Sequence, residues 1–127
     1  MTQSNSAEEA RSQGPVIVLS GSTVRPEMVE QEAAAGAELD QVMRAMPGFI
    51  SAKEYVAADG EVLSVYRFET DADAIAWRDE PTHLRYQQVT DDYYESFWVQ
   101  AATVHREYEW RDGAKHPLPA DPGRQPR

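Results

Sequence analysis

Apolar and polar positions change period several times along the chain, and each change marks an element. "PVIVLSGSTV" (15–24) is a short apolar run that ends in Gly and small polar residues, which predicts a strand. Pro26 suits a first helical position, and Glu27 and Glu30 fall in the turn where the helix dipole favours acids. Met28, Ala35, Leu39, Val42 and Met46 then recur at spacings of seven, four, three and four, one stripe of a helix that Pro47–Gly48 stops. "FISAKEYVA" (49–57) and "EVLSVYRFE" (61–69) are strands around Ala58–Gly60, and the Asp-Gly pair there predicts a hairpin. Thr70 reads as an N-cap, with Asp71 and Asp73 in the first turn of a short helix over 71–79. Pro81 prevents its continuation, and Thr82 caps a second helix over 82–93. "ESFWVQAATVHREYEW" (95–110), rich in aromatic and β-branched residues, predicts one long final strand.

The order β-α-β-β-α-α-β is that of a ferredoxin-like, split-βαβ α+β domain with an antiparallel sheet and its second helix broken in two. Such a sheet carries helices on one face only. The final strand would put Trp98, Ala102, Val104, Tyr108 and Trp110 on one face and Phe97, Val99 and Ala101 on the other. Neither set suits water, so a homodimer with sheets packed face to face is expected. The domain spans 15–110. Residues 1–14 are polar and read as a disordered N-terminal tail, and 111–127 as a Pro-rich C-terminal tail.

Charge and composition narrow the partners. The 127 residues carry a formal net charge of -10, and no basic stripe offsets it, which argues against nucleic acid and anionic membranes. There is no cysteine, so disulfides and thiolate metal sites are excluded. The three histidines, His83, His105 and His116, lie far apart, and no metal site is expected. The first residues lack the apolar and basic segments of a secretion signal, and no apolar run approaches a membrane span. A cytoplasmic protein is expected.

Helix 82–93 carries the strongest hint of function. The helical template from His83 selects Tyr86, Gln87, Thr90, Tyr93 and Tyr94, a face without one aliphatic side chain. Residues with an apolar body and a polar tip line small-molecule pockets. The alternative is a rim helix with its tips in water and Leu84 or Val89 doing the packing. Trp77, six residues before His83, is a pocket wall or a core residue. His83 is a base or a junction hydrogen bonder. His105, expected on the final strand beside Thr103, is a pocket base or a structural residue. Tyr66 and Ser64 share one face of the third strand and reach the same pocket if the pleat turns them inward. Phosphate-binding loops, a G-x-S-x-G elbow and a Cys nucleophile are absent from the sequence.

"PGF" (47–49), "RFE" (67–69), "AWRDEPTH" (76–83), Gln87 and "YYESFWVQ" (93–100) together resemble the antibiotic biosynthesis monooxygenase family of dimeric α+β barrel proteins. The resemblance implies a homodimer with one pocket per subunit between helices and sheet. It also implies oxidation of a phenol or anthrone of aromatic polyketide type by dioxygen, with no cofactor. In that reading Trp77, Tyr86 and Tyr94 hold the aromatic plane, His83 or His105 moves the proton, and Gln87 and Tyr66 bond oxygens. A cyclase on the same fold, or a non-catalytic small-molecule or haem-binding dimer, are the alternatives. Against haem, the position ten residues after Trp77 is Gln87 where the haem-degrading relatives have their axial histidine.

Overall fold

The computed structural model describes residues 14–124; the expected N-terminal tail, apart from Gly14, lies outside the described residues. The elements are β1 (Val16–Val24), a 3-10 turn (Pro26–Met28) running into α1 (Val29–Arg44), β2 (Phe49–Val56), β3 (Val62–Phe68), α2 (Asp71–Arg78), α3 (Pro81–Gln87), α4 (Thr90–Tyr93) and β4 (Tyr94–Thr103). They build a four-stranded antiparallel sheet in the order β2-β3-β1-β4, the ferredoxin-like topology. Gly60, at φ 93°, closes the β2–β3 hairpin where the Asp-Gly pair predicted it. Thr70 caps α2 by accepting from the Asp73 N–H at 3.1 Å.

Three expectations need correction. Helix 82–93 is two helices, and its N-cap is Glu80 rather than Thr82. The Glu80 carboxylate accepts from the N–H groups of Thr82 and His83, with Pro81 at the first helical position. The single strand over 95–110 is broken: β4 ends at Thr103, and pairing resumes only in β5 (Glu109–Arg111). The Pro-rich segment also holds a strand: β6 (Ala114–His116) pairs with β5 across Asp112 and Gly113, at φ 54° and 77°. That is the doubly left-handed turn which Asp-Gly accommodates, and it was overlooked among the prolines.

Beyond β6 the chain returns to the edge strand β2. The Asp121 N–H donates to the Ile50 carbonyl at 2.9 Å. Its carboxylate accepts from the Ala52 N–H at 3.0 Å and from Arg44 at 2.8 Å. Arg67, on the sheet face away from the helices, donates to the Pro119 carbonyl, Ser51 and Glu107 at 3.0–3.2 Å. The segment therefore covers a strand edge that would otherwise be open to unwanted pairing.

The register arranges the helix-covered face in four rows. Phe49, Phe68, Val16 and Thr103 form the first, and Ala52, Tyr66, Val18 and Ala101 the second. Glu54, Ser64, Ser20 and Val99 form the third, and Val56, Val62, Ser22 and Phe97 the fourth. The hydrophobic core sits at the first row, where Val16, Phe49 and Phe68 meet Met43 of α1 and Ala74 and Trp77 of α2. Phe49 and Phe68 are fully buried and pack edge to face, with ring centroids 6.0 Å apart. The opposite face carries Ile17, Leu19, Leu63, Val65 and Trp98, and no helix lies on it. There the Trp98 indole lies directly over Gly21, where any β-carbon would overlap it, and donates to Glu61 at 2.8 Å.

Candidate functional site

The third and fourth rows do not continue the apolar core. Ser20, Ser22 and Ser64 are as buried as many core residues, at 8–9 % exposure. Ser20 and Ser22 have no hydrogen-bonding side-chain partner among the described residues. Their oxygens are not sealed in, since Arg67 Nε is the buried side-chain polar atom without a partner among the described residues, so the two hydroxyls are open to water or a ligand. Phenols and carboxylates surround them. The Tyr94 hydroxyl, at the start of β4, donates to Glu32 of α1 at 2.8 Å. Its ring lies 5.2 Å from that of Phe97, the fourth-row neighbour of Ser22. Burial, and then the bond to Glu32, push the Tyr94 phenol well above its ordinary pKa. Burial likewise raises Tyr66, partly offset by the nearby Ser64 hydroxyl. Glu54, Asp40 and Glu32 add to the rise, and no cation opposes it. The apolar end of the sheet thus gives way to a hydroxyl, phenol and carboxylate cluster of one charge sign.

The helix junction has a different character. The His83 ring stacks on Trp77, 4.1 Å between centroids, and its Nδ1–H donates to the Trp77 carbonyl at 3.0 Å. The Gln87 amide donates to the Arg78 carbonyl at 2.7 Å. Both side chains thereby tie down carbonyls at the end of α2, that of Trp77 accepting from the Glu80 N–H as well, at 3.2 Å. Burial lowers the His83 pKa, against the pull of Trp77 and Glu80, and holds the ring neutral near pH 7. With Nδ1 protonated, Nε2 keeps a lone pair and has no protein partner among the described residues. Trp77 itself is a core residue, 5 % exposed.

The polar face of the 82–93 segment meets α1 rather than the sheet. The Tyr86 hydroxyl donates to Glu38, Arg85 pairs with Glu38 at 3.3 Å, and Tyr94 reaches Glu32. That is why the face lacks aliphatic residues: it is clipped to a glutamate-bearing helix. Tyr86, Tyr93, Tyr94 and Phe97 form a ladder of rings 5.2–6.4 Å apart leading from the clip to the sheet. The structure therefore brings Tyr94 and Tyr66 to the polar rows, and His83, Trp77 and Gln87 to the junction. His105 is with neither. It lies past the end of β4, exposed, because the strand expected to carry it stops at Thr103. A small open hollow of about 130 Å³ lined by Val16, Asp71, Ala101, Ala102 and Thr103 holds none of these residues. Among the described residues no three His, Asp or Glu side chains converge as a metal site. No helix of the described residues is long and apolar enough to cross a membrane.

Ser20, Ser22, Glu32 and Glu54 were not singled out from the sequence. The signal was present for the serines: two hydroxyls at alternate positions of an apolar strand share one face. Glu32 and Glu54 carried none, because an acid in a helix first turn or on an edge strand reads as solvated.

The family model of the antibiotic biosynthesis monooxygenases matches residues 15–89. No curated protein matches. Among solved structures, Rv0793 from Mycobacterium tuberculosis is similar at 23 % identity and a TM-score of 0.67, covering 74 % of this chain and 98 % of that one. Protein SO0527 from Shewanella oneidensis is similar at 24 % identity and a TM-score of 0.59, covering 71 % and 90 %. A dabb family protein with a ferredoxin-like fold from Mesorhizobium loti is similar at 14 % identity and a TM-score of 0.59, covering 72 % and 98 %.

Proposed function

The chain belongs to the antibiotic biosynthesis monooxygenase family, and on that premise we propose that it is a cytoplasmic, homodimeric, cofactor-independent monooxygenase acting on an aromatic phenol or anthrone. The observation that carries this reading is the pair of recessed serines, Ser20 and Ser22, whose hydroxyls bond no protein group among the described residues and remain accessible beside Tyr66, Tyr94 and Phe97. A planar, hydroxylated ligand supplies both what those groups lack, hydrogen-bonding partners and an aromatic face to stack on. The uncovered face with Ile17, Leu19, Leu63, Val65 and Trp98 supports the homodimer.

The chemistry asks little of the protein. Loss of a proton from an anthrone methylene leaves a delocalised carbanion able to pass an electron to dioxygen. Recombination of the radical with superoxide gives a peroxide anion, the proton returns to make the hydroperoxide, and loss of water from it leaves the new carbonyl. The protein must bind the plane and accept the first proton. We assign that proton to His83 Nε2, the lone pair left by the Nδ1 bond to Trp77, for a ligand long enough to run from the polar rows to the helix junction. Trp77 holds the ring that bears it, by stacking and by its carbonyl, Gln87 ties the junction to Arg78, and Tyr66, Tyr86 and Tyr94 border the ligand.

One observation favours a second reading, a non-catalytic binder: the hydroxyls of Tyr86 and Tyr94 and the amide of Gln87 are already engaged in structural bonds. Oxygen uptake separates the two. With 1,8-dihydroxyanthrone, the oxygenase consumes oxygen above the uncatalysed autoxidation rate, and His83→Ala lowers that rate by about 10²-fold or more. Ligand binding with oxygen uptake at the uncatalysed rate leaves the binder in its place.

A further inference from the structure

The charged side chains that act on the phenols of the polar rows are acidic, and the cation at the end of β1, Arg25, turns its Nε–H to the Asp91 carbonyl at 2.9 Å. Glu32 holds Tyr94, Glu54 shares the row of Ser64 and Ser20, and Asp40 and Glu32 act with Glu54 on Tyr66. The nearest cations on α1 and α3 are consumed elsewhere. Arg44 bridges Asp40 and Asp121 at 2.8 Å, and Arg85 pairs with Glu38. Lys53 and Arg67 belong to the opposite face of the sheet, by their register with Val65 and Ile17. Acidic residues alone would mark only a solvated surface. Here they flank Ser20 and Ser22, each more than nine-tenths buried, turned to the same face and without a partner.

We propose that this site selects by charge: it takes an aromatic ligand that is uncharged and bears several hydroxyl groups, and it rejects the same ring system carrying a carboxylate, sulfate or phosphate. The proposal rests on the aromatic-ligand reading above and adds the substrate class to it. Ligand hydroxyls donate to Glu32 and Glu54 and pair with Ser20 and Ser22. An anionic group in that place would meet the half-buried Glu32 and the exposed Glu54, neither paired to a cation among the described residues, and like charges repel. The net charge of -10 acts in the same direction at longer range by lowering the local concentration of anions.

The test is a matched pair of ligands titrated into the full chain by fluorescence quenching. One is 1,8-dihydroxy-3-hydroxymethylanthraquinone; the other is its 3-carboxylate. The uncharged compound is expected to bind at least about tenfold more tightly. Raising the salt from about 0.02 to 0.5 M should shrink that ratio, because screening weakens only the repulsion. In the Glu32→Gln/Glu54→Gln variant, checked for its fold by circular dichroism, the ratio should fall below about threefold. Equal binding of the two compounds overturns the charge selection while leaving the aromatic-ligand reading intact, as does a ratio that neither salt nor the double substitution alters. Binding of neither compound by the folded chain overturns both. If the double variant fails to fold, the salt series on the natural chain decides.

Discussion

The two ends of the helix-covered sheet face are made of the same strands and yet solve opposite problems. At the first row, Val16, Phe49 and Phe68 exclude water and are closed over by Met43, Ala74 and Trp77. Two rows away, on those same strands, buried positions hold Ser20, Ser22 and Ser64 under phenols tied to glutamates. One end supplies folding energy through apolar burial. The other gives up that energy at positions where valine would fit the pattern of the strand.

Breaking the apolar end should have the largest effect. Phe68→Ala removes a fully buried ring and should cost about 3–5 kcal/mol, measured by urea denaturation. A loss below about 1 kcal/mol would mean that the first row is not the core. The strap that holds β2 comes next. Asp121→Ala deprives the Ala52 N–H and Arg44 of their acceptor and should cost roughly 1–2 kcal/mol. It should also open residues 117–124 to proteolysis before the domain unfolds, and unchanged cleavage would show that the strap is not held by Asp121.

The junction should give a smaller effect, read as a pH dependence. The folded-state pKa of His83 lies below the ordinary value because of burial. The unfolded chain therefore binds the proton more readily. The contribution of His83 to stability is present above about pH 6.5 and is lost as pH falls below it. His83→Phe, which keeps a ring against Trp77 but cannot titrate, should flatten that part of the stability profile between about pH 6.5 and 5. A slope identical to that of the natural chain would place the histidine in solvent.

Much of the fold was legible because its signals are local. The Asp-Gly hairpin, the Thr70 cap and the Pro47–Gly48 stop each report backbone chemistry over a few residues. The break after Thr103 was not legible, since "VHREYEW" keeps a strand-like composition across a turn in the chain. The polar helix face was read correctly as unusual, but its cause lay in glutamates about fifty to sixty residues away on α1. Periodicity within one helix cannot show what faces it. The cluster at Ser20 and Ser22 needs the register of all four strands before it can be seen at all.

The central claim is that the polar end exists for a ligand and not for the fold, and Ser20→Ala/Ser22→Ala tests it most directly. Denaturation and the titration with 1,8-dihydroxy-3-hydroxymethylanthraquinone should be run on the same preparation. Hydroxyls that bond no protein group add little to stability, so the variant should be as stable as the natural chain to within about 0.5 kcal/mol, or more stable. It should bind the anthraquinone about tenfold or more weakly, the loss expected when two ligand hydrogen bonds go. Lost stability with unchanged binding would contradict the account, because the serines would then belong to the fold.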